Sequence, residues 1–293
     1  VDHTQINYYF QQKPNPNGVI VFSPGQSESS LKYAELMYDL RDLNYDVYII
    51  DHRGQGESAR LLQDPIKSHV NHFSDYVDDF SYLVNEIVKP QNYRKSFLLA
   101  HSMGGAIASG FLARYPKVMT AAILSSPMIE INTGLINNWS ADIFANMLNF
   151  AGRATEYAPG QKPYIPDSKF ETNTVTSSRN RYQIRKEIYN TYKDLRVGGT
   201  TVNWLKQSLE FTTNLRAQKN VYQIPTVIFQ AGKDQFVGSG AQNQICEKLS
   251  PVICKVIRTG FENSQHEILM EVDLIRNQAL SAIRAYFHYF EAN

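Results

Sequence analysis

Cysteine is scarce in this chain of 293 residues, which has only Cys246 and Cys254. Two cysteines are too few for a disulfide framework or a cysteine-based metal site. We interpret them as free thiols in a reducing compartment, although their spacing permits a bridge if a helix end faces the start of a strand. We therefore expect a protein that uses no metal and no cofactor.

Neither sign of charge is in excess. The 29 Lys and Arg residues nearly cancel 28 Asp and Glu residues, and no basic stripe is present. This balance argues against a nucleic-acid partner. No apolar run reaches the roughly 18 residues needed to span a bilayer. The chain starts at Val1, and its first residues have no signal-peptide pattern. We expect a globular chain without a membrane span.

Short apolar runs alternate with segments of helical periodicity along most of the chain. The apolar runs are Gly18–Ser23, Tyr45–Asp51, Phe97–Ala100, Ala121–Ser125, Thr226–Gln230 and Val252–Arg258. The helical segments are Ser30–Leu43, Asp75–Val88, Gly105–Tyr115, Ser239–Leu249 and Val272–Phe290. Strands that alternate with helices indicate a mostly parallel sheet with helices on both faces. The predicted fold class is therefore α/β.

The alternation stops between residues 128 and 216. Three helical segments occur there without a convincing strand: Asn138–Phe150, Ser178–Tyr192 and Val202–Thr212. We predict a core of residues 1–127 and 217–293 and a helical lid of residues 128–216. The first lid helix has an apolar face, which we expect to pack on the core. Alternatively, this face lines an acyl tunnel or touches a membrane surface.

An apolar run that begins at Ser96 ends at Ser102, which is flanked by small residues and followed by a helical segment. This is the pattern of a nucleophile elbow, a tight strand-to-helix turn that exposes a serine hydroxyl above a sheet. Small residues are needed there because the two backbones approach closely. Ala100 stands where glycine is usual, and a methyl group is the smallest departure. We predict that Ser102 is a nucleophile.

A serine nucleophile needs a base and an acid that orients the base. In elbow-type hydrolases they follow in the order serine, acid, histidine. Asp234 and His266 come just after two late apolar runs, so we predict the acid and the base at these positions. Asp273 is a second choice for the acid. Glu262 and Glu267 are too close to His266 in sequence to orient it easily.

An oxyanion hole requires two backbone N–H donors. We predict that Met103, the residue after the nucleophile, supplies one. The other is predicted at Gln26, in the loop after the first apolar run, where Gly25 permits a tight turn. The turn at residues 51–58, DHRGQGES, misses both phosphate-binding patterns, so we interpret its His52 and Arg53 as structural.

These features together resemble the monoacylglycerol-lipase branch of the α/β-hydrolases, and more closely the bacterial lysophospholipases of the second type. The stretches that carry the resemblance are Arg60–Pro65, His69–Asn71, Asp75–Asp79, Arg94–Lys95, Ala100–Ile107 and Arg196–Gly199. The resemblance extends over nearly the whole chain. One departure is Pro24, where many lipases of the branch have histidine.

The resemblance implies an α/β-hydrolase fold and removal of the acyl chain from a lysophospholipid or another single-chain lipid ester. Acyl transfer to a second lipid is a further implied activity. The implied location is the cytoplasm of a bacterium or the surface of its inner membrane, to which the enzyme binds peripherally.

Basic residues cluster in one lid segment at Arg179, Arg181, Arg185 and Lys186. The first three are candidates for binding a phosphate head group, because the guanidinium fork matches phosphate geometry. Alternatively, these basic residues are the solvated face of a helix without a binding role.

Three other functions stay open. The chain could be a monoacylglycerol lipase or another carboxylesterase. It could also be a prolyl aminopeptidase of the same fold, which needs lid carboxylates. The third alternative is a retired hydrolase that serves as a binding scaffold; such proteins typically lack the serine or the histidine.

Overall fold

The computed structural model describes residues 2–134, 137–166 and 168–292, so Val1 and Asn293, the ends of the predicted core, lie outside it. Its seven-stranded sheet has the order β1-β3-β2-β4-β5-β6-β7. The strands are β1 (Asn7–Gln11), β2 (Gly18–Ser23), β3 (Tyr45–Asp51), β4 (Ser96–His101), β5 (Ala121–Ser125), β6 (Thr226–Phe229) and β7 (Cys254–Ile257). All neighbours pair in parallel except β1, which runs antiparallel to β3. The predicted mostly parallel sheet is confirmed.

Helices cover both faces of the sheet and form the region between β5 and β6. They are α1 (Ala34–Asp39), α2 (Phe73–Tyr82), α3 (Met103–Arg114), α4 (Asn138–Phe150), α5 (Arg179–Thr191), α6 (Val202–Ala217), α7 (Ser239–Glu247) and α8 (Asp273–Ala292). A π-helical turn, Leu83–Val88, continues α2. None of the described helices is long and apolar enough to cross a membrane.

The central strands are apolar because both of their faces are covered. Every residue of β2 and of β3 is buried. The register pairs Ser23 with Ala100 and His101 with Ser125, so these strands end at one edge of the sheet. The loops after β2, β4 and β5 therefore start side by side, and they carry the candidate site.

The edge strand β1 was not predicted. Its apolar run, Tyr8 to Phe10, is only three residues long and its side chains are exposed, so neither a longer run nor a strict alternation marks it as a strand. Its partner is the fully buried strand β3. Pairing with a neighbour that is distant in sequence, rather than local pattern, determines this strand.

Cys246 and Cys254 form a disulfide, with their Cα atoms 5.0 Å apart. The expectation of two free thiols is therefore wrong. Cys246 lies in the last turn of α7, and Cys254 is the first residue of β7. The helix end thus faces the start of the strand, the one arrangement in which this short separation can be bridged.

The apolar face of α4 points away from the core, contrary to the expectation. Trp139 is 74% exposed, Met147 63% and Phe150 96%. The helix instead buries Ala141 and Ala145 and packs against α6. Small side chains permit this close packing of two helices, and these three large apolar groups are left on the outer surface, whereas Phe144 lines a cavity beneath the helix.

Candidate active site

Ser102 lies in a strained turn between β4 and α3. Its backbone has φ 53° and ψ −121°, a conformation that non-glycine residues seldom adopt. The turn needs small neighbours. A Cβ atom on Gly104 would lie 2.1 Å from the Ser23 carbonyl oxygen, and one on Gly105 would lie 2.5 Å from Pro127. The structure thus places Ser102 in the geometry of a nucleophile elbow.

Three side chains from separate loops form a hydrogen-bond chain. Ser102 Oγ lies 2.8 Å from Nε2 of His266, and Nδ1 of the same ring lies 2.7 Å from Oδ2 of Asp234. Nδ1 donates to the carboxylate, so Nε2 is free to accept the serine proton. The structure brings together the three residues that the sequence order indicates, and their arrangement can activate a serine hydroxyl.

The carboxylate of Asp234 is fixed by its own loop. Its other oxygen, Oδ1, accepts hydrogen bonds from the backbone N–H groups of Phe236 and Val237 at 2.8 and 3.1 Å. The Phe236 ring lies 5.1 Å from the His266 ring. Asp273, the second choice for the acid, is the first residue of α8 and pairs with Arg181 instead. It takes no part in the chain.

The loop after β2 lines the same cavity as Ser102 through Gly25 and Gln26. Two side chains brace it. The Gly25 N–H donates to Glu28 at 2.5 Å. Gln55 donates from Nε2 to the carbonyls of Gly25 and Glu28 at 2.7 and 2.9 Å, and its Oε1 accepts from the Ser27 N–H at 3.1 Å. The turn at 51–58 therefore fixes the loop at which one oxyanion donor is predicted, and Met103, the other, begins α3.

The segment between α5 and α6 also holds this loop. The Gly198 carbonyl accepts hydrogen bonds from Ser27 Oγ at 3.1 Å and from Gln26 Nε2 at 3.4 Å. From α5, the Tyr189 hydroxyl donates to the Ser27 carbonyl at 3.3 Å. Residues of the predicted lid therefore contribute directly to the conformation of the loop beside the nucleophile.

A charge cluster that was not predicted adjoins the site: Glu28, Lys32 and Glu267 are buried, and Arg185 beside them is half-buried. Lys32 Nζ is 2.5 Å from Glu28 and 2.8 Å from Glu267. Burial is the largest influence and raises the pKa of Glu28, but Lys32 together with the other polar neighbours of the carboxylate outweighs burial and lowers the pKa to about 2. The same balance lowers the pKa of Glu267. The four-residue spacing of Glu28 and Lys32 was the only local sign of this cluster.

Two buried histidines near the site are held neutral. Burial lowers the pKa of His101 to about 4 and that of His52 to about 3. The His101 ring lies 4.9 Å from the His266 ring, and its Nδ1 donates to the Ser125 carbonyl. His52 is 2.9 Å from Ser23 Oγ. Through these contacts His101 holds the end of β5 and His52 holds the end of β2, where the loops of the site begin.

Ser102 and His266 open onto a cavity of about 320 Å³. A second cavity of about 240 Å³ shares part of its lining, including Ile131, Gln161 and Leu205. Its remaining wall is mainly apolar and includes the inner face of α4 at Ala141 and Ala145. A largely apolar cavity beneath α4 therefore borders the cavity that contains the serine.

Arg185, one of the three candidate arginines of α5, lines this cavity. Arg181 is 12% exposed and pairs with Glu35 and Asp273. Arg179 pairs with Glu171 on the surface. These two side chains are engaged with protein carboxylates and are not among the cavity's lining residues, so the expectation that they bind a head group is not supported.

Comparison with known proteins gives a family and close relatives. The family model described as serine aminopeptidase S33 matches residues 14–273. The chain is 36% identical to lysophospholipase L2 of Escherichia coli, over 98% of this chain and 85% of that protein. It is 31% identical to a probable lysophospholipase L2 of Haemophilus influenzae, over 92% of this chain and 83% of that protein.

Solved structures with a similar fold include a monoglyceride lipase variant from Saccharomyces cerevisiae in complex with a substrate analogue. It has a TM-score of 0.77 at 16% identity, and the match covers 99% of this chain and 93% of that one. Identity this low supports similarity of fold alone. The whole chain, including the helices between β5 and β6, thus has a counterpart in one known architecture.

Proposed function

Because the chain belongs to the serine aminopeptidase S33 family of α/β-hydrolases, we propose that it is a serine hydrolase that cleaves the acyl ester of lysophospholipids. One observation carries the proposal: the hydrogen-bond chain Ser102–His266–Asp234, with distances of 2.8 and 2.7 Å, at the wall of a cavity of about 320 Å³. The identity to lysophospholipase L2 supports the choice of substrate.

Acylation begins when Ser102 Oγ attacks the carbonyl carbon of the ester and its proton passes to Nε2 of His266. The carboxylate of Asp234 stabilises the imidazolium through Nδ1. The negative charge on the former carbonyl oxygen is stabilised by the N–H groups of Met103 and Gln26, each worth about 10²- to 10³-fold in rate. The bond to the glycerol oxygen then breaks, and that oxygen takes the proton from Nε2.

Deacylation repeats the sequence with water as the nucleophile. His266 removes a proton from water, and the hydroxide attacks the acyl carbonyl carbon on Ser102. Collapse of the second tetrahedral intermediate breaks the bond to Ser102 Oγ, which recovers its proton from Nε2. The products are a fatty acid and a glycerophospho compound. Replacing water by the hydroxyl of another lipid turns the same sequence into acyl transfer.

Residues 128–216 act as a lid that holds the acyl chain in the second cavity. The apolar lining beneath α4 supports this role, since burial of each CH₂ group contributes about 0.8 kcal/mol. The outward apolar face of α4 binds the membrane surface that carries the substrate. The exposure of Trp139, Met147 and Phe150 supports this association, because large apolar groups insert into the headgroup region.

Ser102→Ala tests the catalytic assignment. We expect kcat/KM for a lysophospholipid to fall by at least about 10⁴-fold with the unfolding midpoint maintained, because the hydroxyl is the attacking group. Ser239→Ala, at the exposed start of α7, is the matched control and keeps wild-type kinetics. Ester hydrolysis retained in Ser102→Ala would contradict the proposal.

A substrate panel separates the alternatives. The wild-type protein is assayed with a lysophospholipid, a monoacylglycerol of the same chain length and proline amide. The proposal expects the highest kcat/KM on the lysophospholipid. A preference for the monoacylglycerol would make the protein a monoacylglycerol lipase, and turnover of the amide alone would make it an aminopeptidase. If no substrate is turned over and a fluorophosphonate does not label the protein, the remaining alternative is a binding scaffold.

A further inference from the structure

We propose that Arg185 binds the head-group phosphate of the lysophospholipid and is the residue that distinguishes lysophospholipids from uncharged monoacylglycerols. This inference rests on the proposed function and deepens it. The cavity beside Ser102 has one polar end, and Arg185 lies in its lining together with Glu267 and His266. The three arginines of α5 differ in what they contact, and the differences identify this one.

Arg179 and Arg181 are already bound to protein groups, which a phosphate would have to displace. Arg179 donates to Glu171 at 2.8 Å and stacks over the Phe170 ring at 4.4 Å. Arg181 forms a bidentate pair with Glu35 at 2.7 and 2.8 Å and donates to the Glu271 carbonyl at 2.6 Å. Binding a phosphate at either residue would require breaking these bonds.

Arg185 has no such set of partners among the described residues. Its one ion-pair contact is to Glu267 at 3.7 Å, beyond hydrogen-bond distance, and its guanidinium lies 5.4 Å from the Tyr182 ring. The side chain is 29% exposed. A guanidinium has five N–H donors in a rigid fork, so those that face the cavity are available to two oxygens of one phosphate.

The negative charges of the two nearby carboxylates are not compensated by Arg185 alone. Lys32 contacts both Glu28 and Glu267 within 2.8 Å. Glu267 therefore keeps a cation at short distance when the guanidinium turns to a phosphate. Burial opposes the charge on Arg185, but the Glu267 carboxylate raises its pKa, so the cation is permanent. At this end of the cavity Arg185 is the one Lys or Arg side chain among the described lining residues, and the two carboxylates that line it, Glu28 and Glu267, are compensated by Lys32 from outside the lining.

The proposal also needs the phosphate and the ester to occupy the same cavity. Arg185 and the catalytic base His266 both line it, and the carboxylate that Arg185 contacts belongs to Glu267, the residue after His266. In a lysophospholipid only the glycerol unit separates the phosphate from the acyl ester. A phosphate on Arg185 leaves the ester near Ser102, and the acyl chain then extends toward the second cavity.

The test compares Arg185→Gln with Arg185→Lys on a lysophospholipid and a monoacylglycerol of the same acyl chain. We expect the ratio of the two kcat/KM values to fall about 10- to 100-fold in Arg185→Gln, the effect of losing charged hydrogen bonds, mainly through KM for the lysophospholipid. Arg185→Lys recovers part of the ratio, because it keeps the charge without the fork. Arg179→Gln, the matched control, keeps the wild-type ratio.

A competition experiment on the wild-type protein gives a second readout that needs no variant. Glycerophosphoethanolamine is expected to inhibit hydrolysis of the monoacylglycerol competitively, whereas glycerol is not. Inhibition by inorganic phosphate of equal strength would mean that Arg185 binds free phosphate rather than the head group, which would overturn the inference. So would an unchanged ratio in Arg185→Gln with both substrates turned over. A wild-type protein without activity on lysophospholipids would instead overturn the proposed function.

Discussion

Ser102 is held in a backbone conformation that costs roughly 1–3 kcal/mol, and its neighbours supply the bonds that offset this cost. Its N–H donates to the Ser125 carbonyl at 3.1 Å, and its own carbonyl accepts from Gly105 and Met128 at 2.8 and 2.9 Å. Those bonds fix the direction of the side chain. The backbone therefore fixes the direction of the Cα–Cβ bond, and the hydrogen bond to His266 fixes the hydroxyl about that bond.

Gln55 gives a prediction at the scale of a single side chain. Its amide makes three hydrogen bonds to the loop that contains Gln26. Gln55→Leu leaves the triad in place but loosens that loop, so we expect kcat to fall about 10- to 100-fold with little change in KM, measured on a soluble ester. Gln63→Leu, at an exposed position, is the control. An unchanged kcat would mean that the loop keeps its conformation without the amide.

The reacting residues could be predicted from the sequence, whereas the buried charged residues that hold the site in place could not. Ser102, Asp234 and His266 each follow an apolar run, and chain order distinguishes them from other residues of the same types. Lys32 and Glu267 are 235 positions apart in the chain, which no local pattern connects. Their contact exists only because the loops after β2 and β7 meet at one edge of the sheet.

At the scale of elements, α4 illustrates what periodicity can and cannot determine. Its bounds, residues 138–150, agree with the sequence prediction because apolar residues recur at helical spacing. The same pattern does not say which face is inside. Ala141 and Ala145 are buried and α4 packs against α6, while Trp139, Met147 and Phe150 are exposed, so the apolar pattern alone does not decide the orientation.

The outward face of α4 leads to a prediction about membrane binding. Met147→Ser together with Phe150→Ser removes two large exposed apolar groups, so we expect binding to phospholipid vesicles to weaken by at least about tenfold. Binding is measured by cosedimentation. Leu274→Ser on α8, where the leucine is 77% exposed, is the matched control. Equal loss in both proteins would mean that binding is not specific to α4.

At the scale of the whole molecule, three buried groups, His52, His101 and Glu28, make the fold less stable in acid. His52 and His101 have pKa values lowered by burial to about 3 and about 4, against an ordinary value of 6.5. The unfolded chain therefore binds more protons than the folded one as the pH falls below 6.5. Glu28, with its pKa lowered to about 2, adds a loss below its ordinary value of 4.5. All three destabilise the fold in acid.

We expect the free energy of unfolding to decrease between pH 6 and 4, with each of the two histidines contributing up to about 1.4 kcal/mol per pH unit. The measurement is urea unfolding at several pH values. His52→Gln lowers the slope by the contribution of one proton, while His288→Gln, in which the replaced ring is exposed, keeps the wild-type slope. A wild-type slope in His52→Gln would contradict the assignment.

The position of Lys32 between two acids also restricts which substitutions this protein can accept during evolution. One ammonium group compensates two carboxylates that come from opposite ends of the chain, Glu28 and Glu267. Replacement of Lys32 by an apolar residue would leave two buried carboxylates with only the more distant Arg185 to compensate them. Among relatives, we expect these three positions to covary and to be inherited as a unit, so that no lineage loses the lysine before it has lost the acids.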